Sequence, residues 1–325
     1  MEKTNQDLKN FLILGGAMAF SLFFILTQWH FSSRIMTAQI VQPDNQEKID
    51  EEIKNLPQKE ITPIKIKSAP ILETGSKAAI SLLFRPEKQN LPPRILFEKE
   101  INKALPIASI SKLMTAVVAL ENYPLQSEIK ITEESVNQEG ESGRLKAGET
   151  LLMESLLHIM LMESSNDAAE AIARSEEKET FISLMNKKAK EIGLEKTFFV
   201  NPSGLDPETE GTPNISSALD LAKLIIYIQK NHPLIGEILS KKDYILTSSD
   251  GQFHHSLVST NSLLYNSQTV WGKTGYTKKA NGCMVNLMRP QTGGDSIIIN
   301  IILGADDRFY EMQKLSDWLN NSFVW

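Results

Sequence analysis

Three short patterns in this 325-residue chain combine side chains able to carry acyl transfer: S-x-x-K, S-x-N and K-T-G. A serine hydroxyl becomes a nucleophile when a neighbouring base takes its proton, and an uncharged lysine amine is such a base. A Ser-x-Asn turn supplies a second hydroxyl and an amide. A strand carrying Lys, Thr and Gly supplies a cation, a hydroxyl and an unobstructed backbone for an incoming peptide. S-x-x-K occurs at Ser109, Ser127 and Ser175, and S-x-N at Ser135, Ser164 and Ser259; K-T-G occurs once, at Lys273-Thr274-Gly275. Context has to choose among the repeats.

Ser109 follows Pro106 and opens a helical pattern, with Ile110, Leu113, Met114, Val117 and Val118 on one face. Lys112, one turn on, shares a face with Ser109, their Cβ atoms roughly 5–6 Å apart. Ser109 could simply cap this helix, as serine often does. A lysine at the start of an otherwise apolar helix needs a further reason, and serving Ser109 is one. Ser127 and Ser175 sit among charges and read as surface serines. Ser164-Ser165-Asn166 lies between two helical runs, where Asn166 or Asp167 could cap the second helix with Glu170 in a box-like arrangement. The same turn could aim Ser164 and Asn166 into a cleft. Lys273 lies on a strand, where it could equally be an edge lysine that deters aggregation.

The elements that must position these groups come from the wider pattern. Ser76–Phe84 and Arg94–Glu100 read as two strands joined by the turn at Pro92-Pro93. A helix-rich stretch runs from about Ser109 to Leu239. Strands follow near Thr269–Thr274, Cys283–Met288 and Ser296–Leu303, then an amphipathic helix at about Phe309–Leu319. Short strand-to-strand links imply antiparallel pairing. The expected fold is therefore α/β: an antiparallel sheet of N- and C-terminal strands, flanked by helices, with an inserted helical subdomain.

Ahead of this domain, Phe11–Thr27 carries no charge and Gln28-Trp29 extends it toward an interface, as expected of a transmembrane helix over 11–29. A cleaved signal peptide is the rival, with Met36-Thr37-Ala38 a weak cleavage site. Lys3 and Lys9 before the span, against Arg34 after it, place residues 1–10 in the cytoplasm and the remainder outside. Residues 41–70 hold six acids, five lysines, four prolines and no glycine, so 30–75 reads as an extended stalk and 76–325 as the catalytic domain. A net charge of −6 without a basic run argues against nucleic acid, and no histidine spacing suits a metal, so neither metal nor cofactor is expected. His254 and His255, adjacent on a strand, would point to opposite faces and read as surface residues. Cys283 stands alone and reads as inert core packing.

The three patterns, in this order, resemble those of the penicillin-recognising serine enzymes. Pro106–Ala116, Ser164–Ala169, Asn201-Pro-Ser-Gly-Leu205, Asp220-Leu-Ala222 and Gly272–Thr277 narrow the resemblance to the low-molecular-mass penicillin-binding proteins, the serine D-alanyl-D-alanine carboxypeptidases, over roughly residues 76–325. That resemblance implies a β-lactamase/transpeptidase-like fold, stem peptides of peptidoglycan ending in D-Ala-D-Ala as substrate, and β-lactams as covalent inhibitors. It implies Ser109 as nucleophile, Lys112 as base and Ser164 as proton relay to the leaving amine. Asn166 would hold the peptide, and Lys273 and Thr274 the terminal carboxylate, with Gly275 leaving the strand open and Arg308 assisting. The backbone N–H groups of Ser109 and Tyr276 would form the oxyanion hole. With the apolar span at 11–29 and its charge bias, the expectation is a membrane enzyme whose catalytic domain is extracytoplasmic.

This chain departs from the pattern in places. Ser165 stands where relatives often have Gly, Ser203 where many have His, and Gly272 adjoins Lys273 directly, which could shift the strand's register. The smaller β-rich domain and C-terminal anchor of many relatives are missing, and the N-terminal span would replace that anchor. D,D-endopeptidase activity on crosslinks remains open. A β-lactamase would need a carboxylate for deacylation, for which Glu210 in Glu210-x-x-x-Asn214 is the candidate. A non-catalytic wall-binding module would need a defect in the three motifs that is not visible, and the absence of G-x-S-x-G disfavours a lipase-like hydrolase.

Overall fold

The computed structural model describes residues 63–88, 91–140, 143–248, 251–292 and 294–325; the expected tail, the apolar span at 11–29 and the stalk up to residue 62 lie outside them. Among the described residues no helix is long and apolar enough to cross a membrane.

Five strands make the central sheet: β1 (Ala78–Phe84), β2 (Arg94–Lys99), β3 (Thr269–Thr277), β4 (Asn281–Met288) and β5 (Ile297–Ala305). Their order is β3-β4-β5-β1-β2, every neighbouring pair antiparallel. The N-terminal strands thus pair directly with a C-terminal one, and the chain between them forms the helical block. Both faces of the sheet are covered, which is why β1 is buried at every position and apolar nearly throughout. The two-residue period of a strand sorts its side chains. In β5, Ile298 and Ile302 pack with the C-terminal helix, while Ile299, Ile301 and Leu303 join the core under the helical block.

The helical block contains α1 (Lys112–Asn122), α2 (Met153–Met162), α3 (Asn166–Ala173), α4 (Lys178–Ile192), α5 (Ala218–Asn231) and α6 (Pro233–Ser240). The opposite face is covered by α7 (Arg308–Ser322), started by Asp307, whose carboxylate accepts from the Phe309 and Tyr310 amides. A hairpin of Asp243–Thr247 and Phe253–Val258 leads from α6 toward β3.

Residues 63–75, read as the end of the stalk, lie against the domain. Ile64–Lys65 pairs antiparallel with Phe323–Val324, and the Trp318 indole N–H donates to the Pro70 carbonyl at 2.7 Å. The Lys65 ammonium lies over the Trp318 ring, and Trp318 meets Phe97 and Phe323 edge-on. Thr74 donates to the Glu311 carboxylate, and Lys99 donates to the Thr74 and Ser76 carbonyls. An aromatic on α7 therefore holds this segment to the domain. Trp318→Ala is expected to cost roughly 3–5 kcal/mol by urea denaturation. Trp318→Phe should cost less, yet expose residues 63–72 to proteolysis by removing the N–H that holds Pro70.

Candidate active site

The chain reaches the nucleophile through Leu105–Pro106, which pairs with Ile215–Ser216, and then through a 3-10 turn, Ala108–Ser111, that runs into α1. No side chain caps this turn or the start of α1, so Ser109 is not the N-cap that its position allowed. Its hydroxyl is held instead by Lys112, whose Nζ lies 2.8 Å from Ser109 Oγ. Ala108 just before it has a left-handed φ of 48°, costly for a residue with a Cβ. Its carbonyl accepts from Ser111 Oγ at 2.7 Å, and Ser111 Oγ accepts from Asn214 Nδ2 at 2.9 Å. Gly204 packs so tightly here that a Cβ on it would fall 1.9 Å from the Ala108 carbonyl oxygen.

Lys112 is fully buried. Besides Ser109 Oγ it meets two acceptors, Asn166 Oδ1 at 2.7 Å and the Ser203 carbonyl at 2.8 Å. The Asn166 amide is oriented by its other end, where Nδ2 donates to the Glu139 carbonyl at 2.6 Å. A neutral amine has two hydrogens and one lone pair. Two hydrogens satisfy Asn166 and Ser203, which turns the lone pair toward the Ser109 hydroxyl. Burial, and next the charge of Lys273, push the Lys112 pKa well below its usual range. None of its three partners is a carboxylate that would restore the charge.

The S-x-N turn divides its work. Ser165 Oγ caps α3 by accepting from Ala168 N, so neither Asn166 nor Asp167 is the cap, and Glu170 pairs with Arg174 and Lys178 instead of closing a box. Ser164 and Asn166 are thereby left for the site. Lys273, on β3, is fully buried and donates to Ser164 Oγ at 2.8 Å, which excludes the solvated edge lysine. Burial, then the Arg308 charge, push its pKa down to about 7. Thr274 Oγ1 is 2.8 Å from Thr260 Oγ1, and Gly275 runs so close that a Cβ would lie 3.0 Å from the Ser109 amide nitrogen. Tyr276 follows with an exposed side chain on β3, the edge strand of the sheet. Arg308 opens α7, and its charge is felt at Lys273. The structure therefore gathers Ser109, Lys112, Ser164, Asn166 and Lys273 through direct contacts, with Thr274, Gly275, Tyr276 and Arg308 bordering them.

Sequence reasoning missed the supports. Asn214 Oδ1 accepts from the Val200 and Asn201 amides, and its Nδ2 donates to the Asn201 carbonyl as well as to Ser111. This shapes the loop whose Ser203 carbonyl receives Lys112. Asp206 binds that loop to the end of β3, accepting from Thr277 Oγ1 and Lys279 N. The replacement of His by Ser at 203 leaves the contact to Lys112 intact, because a backbone carbonyl makes it. The suspected shift at Gly272 is absorbed by an irregularity between Thr269 and Trp271, after which Lys273 pairs in register with Val285. Glu210 is exposed, and its expected companion Asn214 is buried in the loop scaffold, so Glu210-x-x-x-Asn214 forms no deacylating pair.

The chain is similar in sequence and in fold to known proteins. The sequence profile of a family described as D-alanyl-D-alanine carboxypeptidase matches residues 89–307. A D-alanyl-D-alanine endopeptidase of Escherichia coli (strain K12) is 30% identical over 239 residues, 71% of this chain and 74% of that protein. The D-alanyl-D-alanine carboxypeptidase DacF of Bacillus subtilis (strain 168) is 30% identical over 236 residues; the match spans 69% of this chain and 58% of that longer protein. Among solved structures, penicillin-binding protein D2 of Listeria monocytogenes in its cefotaxime-bound form superposes with a TM-score of 0.65 at 29% identity, covering 77% of this chain and 99% of that one.

The buried lysines have a stability consequence whose sign is definite. Lys273 titrates at an ordinary 10.5 when unfolded and about 7 when folded, so between those values the unfolded chain holds more protons. Its penalty is absent above the higher value, grows as pH falls and is complete below the lower one. Lys273→Met is therefore expected to raise the denaturation midpoint at pH 6.5, and to raise it progressively less toward alkaline pH. A wild-type protein that is equally or more stable at pH 6.5 would contradict this.

Proposed function

We infer the reaction of this chain from its kinship, for it belongs to the D-alanyl-D-alanine carboxypeptidase family. It is a serine-type peptidase that removes the terminal D-alanine from peptidoglycan stem peptides through an acyl-enzyme. The observation that carries this reading is the Lys112 amine, buried, 2.8 Å from Ser109 Oγ and with its two other partners both acceptors.

In the proposed cycle Ser109 Oγ attacks the carbonyl between the two D-alanines while its proton passes to Lys112. The Ser109 and Tyr276 amides stabilise the oxyanion, each donor of this kind being worth about 3–4 kcal/mol. Collapse expels the terminal D-alanine, whose amine receives the proton held by Lys112, relayed through Ser164, which leaves Lys112 neutral again. Water then cleaves the ester, with Lys112 again as base. Asn166 holds the peptide, while Lys273 and Thr274, assisted by Arg308, hold the terminal carboxylate. β-Lactams would acylate Ser109 in the same way and occupy it.

A D,D-endopeptidase reading has support of its own in the E. coli relative named for that activity. Residues 11–29 would anchor the chain in the cell membrane by a single span, with the domain on the extracytoplasmic side; the uncharged run Phe11–Thr27 and the lysines before it support this.

A fluorescent penicillin should label the wild-type protein covalently, and Ser109→Ala should abolish labelling and lower peptide turnover by roughly six orders of magnitude. Mass spectrometry of digests separates the two activities. Free D-alanine from a pentapeptide muropeptide supports the carboxypeptidase; cleavage of a crosslinked dimer without that release supports the endopeptidase. The pH dependence follows from the lysines. kcat/KM should rise on the acid side as Lys112 loses its proton and fall above about 7 as free-enzyme Lys273 loses its own. kcat should persist to higher pH, because a bound carboxylate favours the charged form of Lys273.

A further inference from the structure

His254 and His255, expected on opposite faces, meet ring to ring. His255 is buried, His254 is nearly so, the ring centres are 4.8 Å apart and the two Nδ1 atoms 2.6 Å apart. The outer nitrogen of each ring meets a carboxylate: His254 Nε2 lies 3.1 Å from Glu149 Oε2, and His255 Nε2 3.3 Å from Glu163 Oε2. The other Glu149 oxygen accepts from the Lys146 amide at 2.6 Å, which fixes that end.

The hydrogens can be counted. Each of the three contacts, acid to ring, ring to ring and ring to acid, needs one hydrogen, and carboxylates supply none. Two neutral imidazoles carry two hydrogens. The chain is complete only when a third hydrogen is shared between the two rings, with a carboxylate at each end to balance its charge. Three other titratable groups beside this hairpin have partners of their own. His158 of α2 stacks on Tyr244 and bonds the Glu154 carbonyl, Lys241 lies over the Tyr244 ring, and Lys242 lies over Tyr265.

What the chain holds is adjacent to the chemistry. Glu163 ends α2 and is followed directly by Ser164, whose φ of 63° is left-handed and uncommon for serine. The segment leaving the hairpin grips the same turn a second time, since the Thr260 amide donates to the Met162 carbonyl at 3.0 Å, and Thr260 Oγ1 also meets Thr274 Oγ1. One hairpin thus holds the S-x-N turn and touches the K-T-G strand.

We propose that Glu149, His254, His255 and Glu163 form a proton-sharing clasp that positions Ser164 against Lys273, with His255 and Glu163 as positioning residues for proton delivery to the leaving amine. This rests on the role of Ser164 given above. The clasp is closed when the histidine pair holds its extra proton. When that proton leaves, one contact loses its hydrogen and Ser164 loses a restraint.

The test uses the full-length protein in detergent micelles, with nitrogen-15 histidine. A ring N–H proton far downfield of ordinary imidazole, coupled to the Nδ1 atoms, is expected in the wild type and should vanish in His254→Gln and in His255→Gln. Glu163→Ala should lower kcat for D-alanine release by roughly ten- to a hundredfold with little change in KM, the scale of a misplaced catalytic group. Glu163→Gln, which still offers His255 an oxygen, should recover most of that loss. The pH at which the downfield signal disappears should coincide with a step in wild-type kcat that His254→Gln lacks. Absence of the signal, or wild-type turnover in both Glu163→Ala and His254→Gln, would overturn the clasp. Penicillin labelling of Ser109 separates the two levels: a protein that labels normally but shows no clasp phenotype refutes this proposal alone, whereas one that never labels refutes the reaction on which it rests.

Discussion

A lysine amine closed off from water, with only oxygen dipoles around it, is the constraint on which this domain is built. Keeping Lys112 charged in such a place would need a carboxylate, and the structure gives it Ser109, Asn166 and the Ser203 carbonyl. The cheaper state is the neutral amine, which is a base. The neighbours of Lys112 follow from that choice. Asn166 is held by the Glu139 carbonyl so that its oxygen, not its nitrogen, faces the amine. The 201–206 loop is shaped by Asn214 so that a carbonyl arrives from the other side.

The second cation completes the arrangement. Lys273 is itself buried and pushed down to about 7, so its charge acts on Lys112 through little intervening water. Two depressed amines and a nearby guanidinium make a site that the fold must hold together against its own electrostatics. The sheet supplies the rigidity: β3, which carries Lys273, is paired along its length with β4, and β4 with β5. Among the described residues, two of the five non-glycine positions with left-handed φ lie at the chemistry, Ala108 before the nucleophile and Ser164 in the second motif.

The architecture explains why three motifs so far apart in sequence converge. The nucleophile starts the first helix of an inserted block, Ser164 sits between two helices of that block, and Lys273 lies on the strand to which the chain returns. Contacts that bring in residues outside the motifs join these parts: Ser111 with Asn214, Asp206 with Thr277, and Thr260 with Thr274. On the far side of the sheet, α7 and the docked residues 63–75 close the second core around Trp318.

Local patterning was enough to identify the strands of the sheet, the helical block and the final helix, because apolar periodicity and turn residues act over a few positions. The Ser109–Lys112 pair was legible for the same reason, since a helical turn fixes residues three apart on one face. The order and surroundings of the three motifs were enough to suggest the family. Other features depended on residues distant in the chain and carried no short-range signal. Burial decided that Lys273 is an interior cation rather than an edge lysine. Helix capping went to Ser165 because the neighbouring Asn166 amide was already committed to Lys112 and Glu139. The histidines of the hairpin turned toward each other because Glu149 and Glu163, from other elements, wait at either end. The residue types and their local spacing were written in the sequence; which amine loses its charge, and which loop holds it, were set only when the helical block closed on the sheet and excluded water.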